Sequence, residues 1–496
     1  MAGVDQIRVS EFAPGRFAPF ASPLAVPVGL ALLRPVYWIF AGIVAGAALY
    51  FGGIQAMAIA VAVLIALWAF AEPRAALWLT TAFMVFLFVF FQNTAPLGED
   101  LPAEFLYWGI GLALITAGLA FAALFSSQVD WALSKRRLVA PESVAMAAML
   151  MVILAASVYG LAAGNPPAIV ERQLFGCVMF PVYYFVSLAL FRSSADVERW
   201  LRSVGWVISL GSLWYVQRLS SISLARGVYY REQSPLVIYS GAAAVVAWIG
   251  LLERRRPGLW LQALTQGVLC LLAILLMGNR SALGSCLAAI VVVTAIMLWR
   301  RRGLALALMV ILVPVGVGVA PYLMNRALES RNLPGMIAGR FIFALAEDQS
   351  YQGRVAQSQV VMNMVNERPI LGAGMGSENS FIMPGQHRLK VASVDNGWGY
   401  LLLKMGYVGL AAFLAFFALL FRRGLAGLQR ARGGALRTVR YSVFAVGFYA
   451  MVTFVAGPTF FHFSTAPFFA TFLGALVVAS EAREQAKAIT VRRRAA

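Results

Sequence analysis

The stretch GLWLQALTQGVLCLLAILLM-GNR-SALGSCLAAIVVVTAIMLW, residues 258–299, consists of two long apolar runs separated by three residues. Each run reaches the roughly 18 residues that an α-helix needs to cross a bilayer. Lipid offers backbone groups no hydrogen-bond partner, so runs of this length must form helices or barrel strands. The alternating ten-residue segments of a membrane barrel are absent from the sequence. The stretch therefore predicts a helical hairpin within a membrane.

Apolar runs of this kind recur along the chain. It has 496 residues, of which 61% are hydrophobic and 12% charged, and its mean hydropathy is +0.78. No soluble fold of this size buries so much apolar surface. We predict an all-α fold, a polytopic transmembrane helix bundle of about 14 spans with a long, partly helical external loop. The predicted spans are 36–52, 54–72, 75–93, 104–125, 143–163, 173–191, 203–217, 235–252, 258–277, 281–299, 303–322, 396–421, 441–457 and 464–480.

The basic residues fall in five clusters that alternating spans place on one side of the membrane. The positive-inside rule assigns that side, and with it both termini, to the cytoplasm. This topology explains the net charge of +19 without nucleic acid, which we do not expect as a partner. The clusters are 135–137, 254–256, 300–302, 422–440 and 492–494. The predicted divisions are an N-terminal cytoplasmic segment (1–35), a transmembrane bundle (36–322), an external loop (323–395), C-terminal transmembrane helices (396–480) and a basic cytoplasmic tail (481–496).

The cysteines and histidines show no pattern that would hold a metal ion. Cys177, Cys270 and Cys286 lie within apolar runs, without the spacing of metal ligands. The sequence has only two histidines, His387 and His462. We therefore expect no metal site and no cofactor.

Many arginines fall on the external side, where the positive-inside rule does not require them. The arginine fork suits phosphate and carboxylate groups, so several arginines at one helix boundary would form a site for an anionic head group such as a lipid diphosphate. The alternative is that they snorkel or pair with nearby carboxylates, among them Glu171, Glu232 and Glu367. These arginines are Arg172, Arg218, Arg226, Arg231, Arg280, Arg326, Arg331, Arg340, Arg354, Arg368 and Arg388.

Arg280 stands out because it lies in the very short turn between the two apolar runs of residues 258–299. Gly278 and Asn279 permit such a turn, and Ser281 can cap the helix that follows. A charge held at the bilayer edge is a candidate functional residue.

A glycine-rich segment follows a predicted helix in the external loop. The helix should run from about Gly353 to Asn366 and end before Pro369. The segment Ile370-Leu371-Gly372-Ala373-Gly374-Met375-Gly376 can then form an open turn whose exposed N–H groups bind an anion. An ordinary turn without a ligand is the alternative.

Asp395 lies where the external loop enters the membrane again. It can cap the next helix, and it can also take a proton from a sugar hydroxyl. Asn396, Tyr400 and Lys404 follow at intervals of four residues and share one helix face. Lys404 lies about two turns into the span, so we expect it either to face a polar cavity or to snorkel outward.

The order of these features resembles the O-antigen ligase and polysaccharide polymerase superfamily of bacterial inner membranes. The resemblance covers residues 220–420 approximately, and each motif alone is loose. The matching elements are the segment from Arg226 to Pro235, the turn Gly278-Asn279-Arg280-Ser281, the pair Gly353-Arg354, the segment Pro369–Gly374, the pair Asp395-Asn396, and Gly406-Tyr407-Val408-Gly409.

This resemblance implies a metal-independent, inverting glycosyltransferase of the GT-C type, with its active site facing the periplasm and with undecaprenyl-diphosphate-linked oligosaccharide as donor. Membrane lipids and a chain-length regulator or a flippase would be further partners. Arg226 or Arg231, together with Arg280, would hold the donor diphosphate and stabilise the leaving group. The full set of predicted site residues is Arg280, Asp395 and Arg226 for catalysis and Arg231, Arg172, Arg354, Asn396, Tyr400 and Lys404 for substrate binding.

One departure from the family pattern bears on the acceptor. Ligases of this family usually carry a histidine where this chain has Asp395, and His387 is not an obvious substitute. The departure favours a polymerase that joins lipid-linked repeat units of O-antigen or exopolysaccharide. A ligase that transfers the glycan to lipid A core or to protein is the first alternative. A transporter or flippase of lipid-linked glycan, without chemistry, is the second.

Overall fold

The structure is a computed structural model. It describes residues 63–64, 66–69, 71–91, 103–125, 131–226, 235–253, 257–277, 279–299, 349–382, 388–391, 394–430 and 435–495. Residues from Ala66 onward form one compact unit, to which the following description applies. The predicted spans 36–52 and 303–322, and most of 54–72, lie outside the described residues.

The described residues form helices and one short β-hairpin. The helices are α1 (Pro73–Phe91), α2 (Ala103–Phe125), α3 (Trp131–Leu138), α4 (Pro141–Ala162), α5 (Pro167–Leu190), α6 (Ser194–Arg226), α7 (Pro235–Glu253), α8 (Pro257–Met277), α9 (Arg280–Trp299), α10 (Gln349–Glu367), α11 (Gly397–Gln429), α12 (Ala435–Phe454) and α13 (Ala466–Ala495). Strands β1 (Asn379–Ile382) and β2 (Arg388–Val391) pair antiparallel. The prediction of a helical bundle is therefore confirmed, and the hairpin is a small addition that the sequence did not predict.

Six described helices are long and apolar enough to cross a membrane, namely α4, α5, α7, residues Pro257–Leu276 of α8, residues Ser281–Leu298 of α9, and α11. This confirms a multi-pass helical membrane protein. The figure of about 14 spans stays a prediction. The predicted helix in the external loop is confirmed as α10, which ends at Glu367, two residues before Pro369.

Proline marks the first residue of five helices, at Pro73, Pro141, Pro167, Pro235 and Pro257. Proline suits the first helical turn, where its missing N–H would have had no intrahelical partner. Five of the apolar runs therefore begin their helices where the sequence places a proline.

One end of the bundle is held by a buried network of charges. Arg137 donates to Glu481 at 2.8 Å and to the carbonyls of Leu188 and Phe191 at the end of α5. Arg423 joins Glu142 to the same Glu481. These contacts satisfy carbonyls that a helix end leaves unpaired.

A second arginine binds carbonyls at the same end. Arg440 is 1% exposed and donates to the carbonyl oxygens of Gly427 and Ala479 at 2.9 and 2.7 Å. The structure thus places Arg137 of the cluster 135–137 and Arg423 and Arg440 of the cluster 422–440 at one end of the bundle, as the predicted topology requires. Assignment of this end to the cytoplasm stays a prediction.

Candidate functional site

The glycine-rich segment inserts between helices at the end of the bundle opposite this charge network. Helix α11 is interrupted at Gly406, whose φ of +61° and ψ of −161° suit only glycine. Beyond the break, the N–H groups of Tyr407 and Val408 donate to the carbonyls of Pro369 and Ile370 at 2.9 and 3.2 Å. The segment therefore supplies acceptors for helix amides that the break would leave unpaired.

The other edge of the segment is bonded to helices α4, α5 and α11. Ala373 N donates to Leu403 O at 2.7 Å, and Met375 N donates to Ala156 O at 3.0 Å. Gly376 N donates to the side chain of Gln173 at 2.8 Å. The expectation that these N–H groups are exposed to bind an anion is wrong for Ala373, Met375 and Gly376, because each already donates within the protein.

Asn165, in the turn between α4 and α5, also bonds the glycine-rich segment. Its side-chain amide donates to the carbonyl oxygens of Ala373 and Met375 at 3.1 and 2.8 Å. Gly160 and Gly374 pack backbone to backbone beside it, with no room for a side chain. The glycines of this segment thus serve close packing, which fixes the segment against helices α4, α5 and α11.

Lys404 is fully buried, and its ammonium group does not snorkel outward. It donates to the backbone carbonyl and, at 3.1 Å, to the hydroxyl of Ser377, the residue that follows the glycine-rich segment. It also lies 5.9 Å from the ring centre of Tyr400. The prediction that Tyr400 and Lys404 share a helix face is confirmed, and their face is turned into the protein.

Asp395 remains accessible at the surface of this end. Its carboxylate lies 3.6 Å from Arg354 Nε, and the two side chains are 63% and 43% exposed. An ion pair with this exposure contributes little to stability, so both groups remain available to a ligand. Gln357, which is buried, accepts from the backbone N–H of Asp395 at 3.1 Å and fixes its position.

Asn396, not Asp395, caps α11. Its side chain accepts from Trp398 N at 2.9 Å. The expectation that Asp395 serves as the N-cap is therefore wrong, because the helix begins one residue later than that role requires. The Asp395 carboxylate therefore has no capping role in α11.

The loop between α12 and α13 brings His462 to this end of the bundle. His462 is not among the site residues that were predicted from the sequence. Phe461 stacks on Tyr400 with ring centres 5.8 Å apart, and Gly176 of α5 packs against the carbonyl of Phe461. Arg172 precedes Gly176 by one turn on the same face of α5. The loop therefore brings His462 beside two predicted site residues.

The side chain of His462 is exposed, and one of its two ring nitrogens makes a hydrogen bond within the protein. Nδ1 lies 2.6 Å from the hydroxyl of Ser464. The surrounding protein removes water from part of the ring, and this desolvation lowers the pKa of His462 below its usual value. The positive charge of Arg172 is a smaller cause in the same direction. The lowered pKa favours the neutral form of the ring.

The remaining predicted arginines lie at helix ends or outside the described residues. Arg226 ends α6 and Arg280 begins α9, whereas Arg231 lies outside the described residues. The turn before Arg280 is as short as predicted. Asn279 caps α9 by accepting from Ala282 N at 3.0 Å, so the expectation that Ser281 does so is wrong, and Ser281 instead donates to Asn279.

The structure thus defines a multi-pass membrane protein with a charged, partly accessible site at one end of its bundle. Residues 265–414 match the family model described as O-antigen ligase. The match contains Arg280, Arg354, the glycine-rich segment, Asp395 and Lys404. No curated protein matches the chain. The family match covers 150 of the 496 residues and likens this part of the chain to that family.

Two contributors to the site could not be found from the sequence, for different reasons. Ser377 lies 27 residues before its partner Lys404, and the contact forms because the glycine-rich segment before Ser377 packs against α11. His462 belongs to a loop that no motif connected to the site. The one signal in the sequence was that a histidine lay in the short external loop between the last two predicted spans.

Proposed function

We propose that this protein transfers lipid-diphosphate-linked glycan to an acceptor hydroxyl at the end of the bundle that carries Asp395. The observation that carries the proposal is the match to the O-antigen ligase model. The matched residues include the turn at Arg280, the glycine-rich segment and Asp395. The accessible Asp395–Arg354 pair supports it, since a transferase needs a carboxylate and cations within reach of substrate.

In the proposed reaction the acceptor oxygen attacks the anomeric carbon of the donor sugar. The hydroxyl proton passes to the Asp395 carboxylate, which acts as general base. The bond between the anomeric carbon and the diphosphate oxygen breaks, and the lipid diphosphate leaves with the electron pair. Attack from the face opposite the leaving group inverts the anomeric centre.

Arginines stabilise the negative charge that develops on the leaving diphosphate. Arg280 and Arg226, at the helix ends, are proposed for this role together with Arg231. Arg172 and Arg354 are proposed to bind substrate near His462 and Asp395. Asn396 lines the same entrance in this proposal, whereas Tyr400 is buried and stacks on Phe461, so we do not keep it among the residues that bind substrate. We assign Lys404 to positioning, because its ammonium group holds Ser377 and so fixes the glycine-rich segment below the substrate.

A lipid-linked repeat unit is the acceptor that we propose, which makes the protein a polysaccharide polymerase. Support comes from Asp395, which stands where ligases of the family usually carry histidine. The second candidate is a ligase, favoured by the description of the matching family model. In that case His462 would supply the histidine from another loop.

Purified protein in liposomes, with a fluorescent undecaprenyl-diphosphate oligosaccharide as donor, tests the proposal. We expect extended lipid-linked products from wild type and at least about a hundredfold slower transfer from Asp395→Asn, in line with general-base catalysis. Glu198→Gln, which changes a partly exposed carboxylate of α6, is the matched control and should retain the wild-type rate.

The products distinguish the acceptors. Ladders of lipid-linked product without a second acceptor indicate a polymerase, whereas product that forms only after lipid A core or protein is added indicates a ligase. Transfer that is unaffected by Asp395→Asn would contradict the assigned base. The absence of any new glycosidic bond under all conditions would contradict the proposed function.

A further inference from the structure

The loop between α12 and α13, residues 455–465, carries an exposed histidine to which the proposed polymerase reaction gives no role. Gly176 of α5 packs against the backbone on both sides of His462. A Cβ on this glycine would clash with the carbonyl of Phe461 and would lie 3.4 Å from Phe463 N. Gly176 lies about 13 Å along α5 from its first residue. The loop therefore descends along α5 from the end of the bundle that carries the glycine-rich segment.

The backbone of this loop is bonded at that depth. The N–H groups of Thr465 and Ala466 donate to the carbonyl of His462 at 3.0 and 2.9 Å. The hydroxyl of Tyr239, in the first turn pair of α7, donates to the carbonyl of Ser464. Non-helical backbone at membrane depth is tolerated only where it is buried in protein or lines a water-filled cavity. The exposed side chain of His462 therefore faces a water-filled part of the site.

The hydrogen bonds of His462 fix the tautomer of its neutral ring. Nδ1 accepts from the backbone N–H of Ser464 at 3.4 Å, and a backbone donor cannot rotate away. Nδ1 therefore carries the lone pair, and the proton of the neutral ring lies on Nε2. Desolvation and the charge of Arg172, which lower the pKa of His462, favour the same neutral ring. His462 thus presents an N–H donor to the site, whereas a general base would need a lone pair there.

Arg172 supplies a second donor beside this ring. It precedes Gly176 by four residues, so both lie on one face of α5. Its side chain is exposed, and its charge acts on the ring of His462. The guanidinium fork suits the oxygens of phosphate and carboxylate groups. A guanidinium group and an imidazole N–H beside one water-filled space are suited to bind an oxyanion.

The level of these donors indicates which oxyanion reaches them. Arg172 lies at the external boundary of the predicted span of α5. Asp395 lies farther out, because it precedes α11, whereas Tyr400, on which Phe461 stacks, lies about one turn inside that helix. The diphosphate of a lipid-linked glycan lies at the membrane boundary, and its sugars extend into the water. The donors are thus at the level of a diphosphate.

We propose that His462 and Arg172 form an oxyanion subsite, in which the Nε2–H group of His462 and the guanidinium group of Arg172 bind one phosphate of a lipid diphosphate. The inference rests on the proposed glycan transfer and adds a binding residue to it. Both residues lie outside residues 265–414, which match the family model. The carboxylate of an acidic sugar has the same chemistry and is the second possible source of the oxyanion. His462 donates a hydrogen bond and takes no proton in the reaction.

Lipid binding by the purified full chain in neutral detergent tests the subsite without any transfer. The probes are undecaprenyl diphosphate, which has no sugar, and undecaprenol, which has no phosphate. His462→Ala and the exposed variant Arg172→Gln should each weaken binding of undecaprenyl diphosphate about tenfold or more, as expected for loss of a charged hydrogen bond, and leave binding of undecaprenol unchanged. His462→Gln should retain most of the affinity, because its amide can donate from the place of Nε2. Arg202→Gln, which changes an exposed arginine of α6, is the control and should bind like wild type.

Transfer kinetics in liposomes separate a hydrogen-bond donor from a general base. The donors are two undecaprenyl-diphosphate-linked oligosaccharides, one of neutral sugars and one that contains glucuronic acid. His462→Ala should raise KM about tenfold for both and leave kcat and its pH profile nearly unchanged, because a contact made equally in the ground state affects KM. A fall in kcat that His462→Gln does not rescue would overturn the donor role. A raised KM for the acidic donor alone, with unchanged binding of undecaprenyl diphosphate, would overturn the assignment to diphosphate in favour of the sugar carboxylate.

The binding arm keeps this inference separate from the proposed function. Unchanged binding and unchanged KM in both His462→Ala and Arg172→Gln would overturn the subsite. If wild type transfers no glycan but its binding of undecaprenyl diphosphate is weakened by both substitutions, the subsite stands and the proposed function fails.

Discussion

The break at Gly406 gives the sharpest test of the structure, through Gly406→Ala. An added Cβ would clash with the carbonyl of Ile370 and lie 2.6 Å from Gly372 N, both of which are backbone atoms that cannot yield easily. The backbone conformation alone costs a residue with a side chain about 1–3 kcal/mol. Displacement of the glycine-rich segment also removes the hydrogen bonds of Tyr407 and Val408, at about 1 kcal/mol each.

The sum is on the order of 4 kcal/mol, which corresponds to a fall of roughly 8 °C in melting temperature. Thermal unfolding in detergent, followed by tryptophan fluorescence, measures it. Gly284→Ala is the matched control, because Gly284 is helical and no atom lies within 4 Å of the place that its new methyl group would take. That change should leave stability equal or raise it by up to about 1 kcal/mol. Equal melting temperatures for both variants would refute the reasoning.

Three further substitutions probe the contacts described above. Lys404→Met keeps the length of the side chain but loses its bonds to Ser377, so we expect glycan transfer to fall at least tenfold while circular dichroism shows unchanged helix content; wild-type transfer would contradict the positioning role. Asn165→Ala removes two hydrogen bonds to the glycine-rich segment, and a loss of about 1–3 kcal/mol should appear in thermal unfolding. Glu481→Gln leaves Arg137 and Arg423 without a shared carboxylate and should cost about 3–5 kcal/mol, whereas an unchanged melting temperature would show that the network is not structural.

The sequence predicted the helices well where hydropathy and proline act together. Helices α7, α8 and α9 begin and end within about two residues of their predicted bounds, the usual scatter between assignments. Helix α6 was underestimated, because residues 203–217 were predicted and Ser194–Arg226 is helical. Its first turns are polar and fail a hydropathy criterion, although Ser193 and Asp196 cap them reciprocally and Asp196 pairs with Arg199.

The site was predictable only where neighbours in sequence are neighbours in space. The shared face of Tyr400 and Lys404 follows from helix periodicity. Helix periodicity carries no information on the bond between Lys404 and Ser377 or on the approach of His462 to Arg172. Both depend on packing between segments that lie far apart in the sequence. The interruption of α11 at Gly406 was missed for the same reason, since the segment that replaces its hydrogen bonds lies more than 30 residues earlier.

The central claim is that the bundle end with Asp395 carries out glycan transfer. The most direct measurement is the rate of glycosidic bond formation by purified protein in liposomes, compared between wild type, Asp395→Asn and the control Glu198→Gln. The account predicts that bond formation is lost in Asp395→Asn alone, with all three proteins folded and melting at similar temperatures. Equal rates in all three would contradict it.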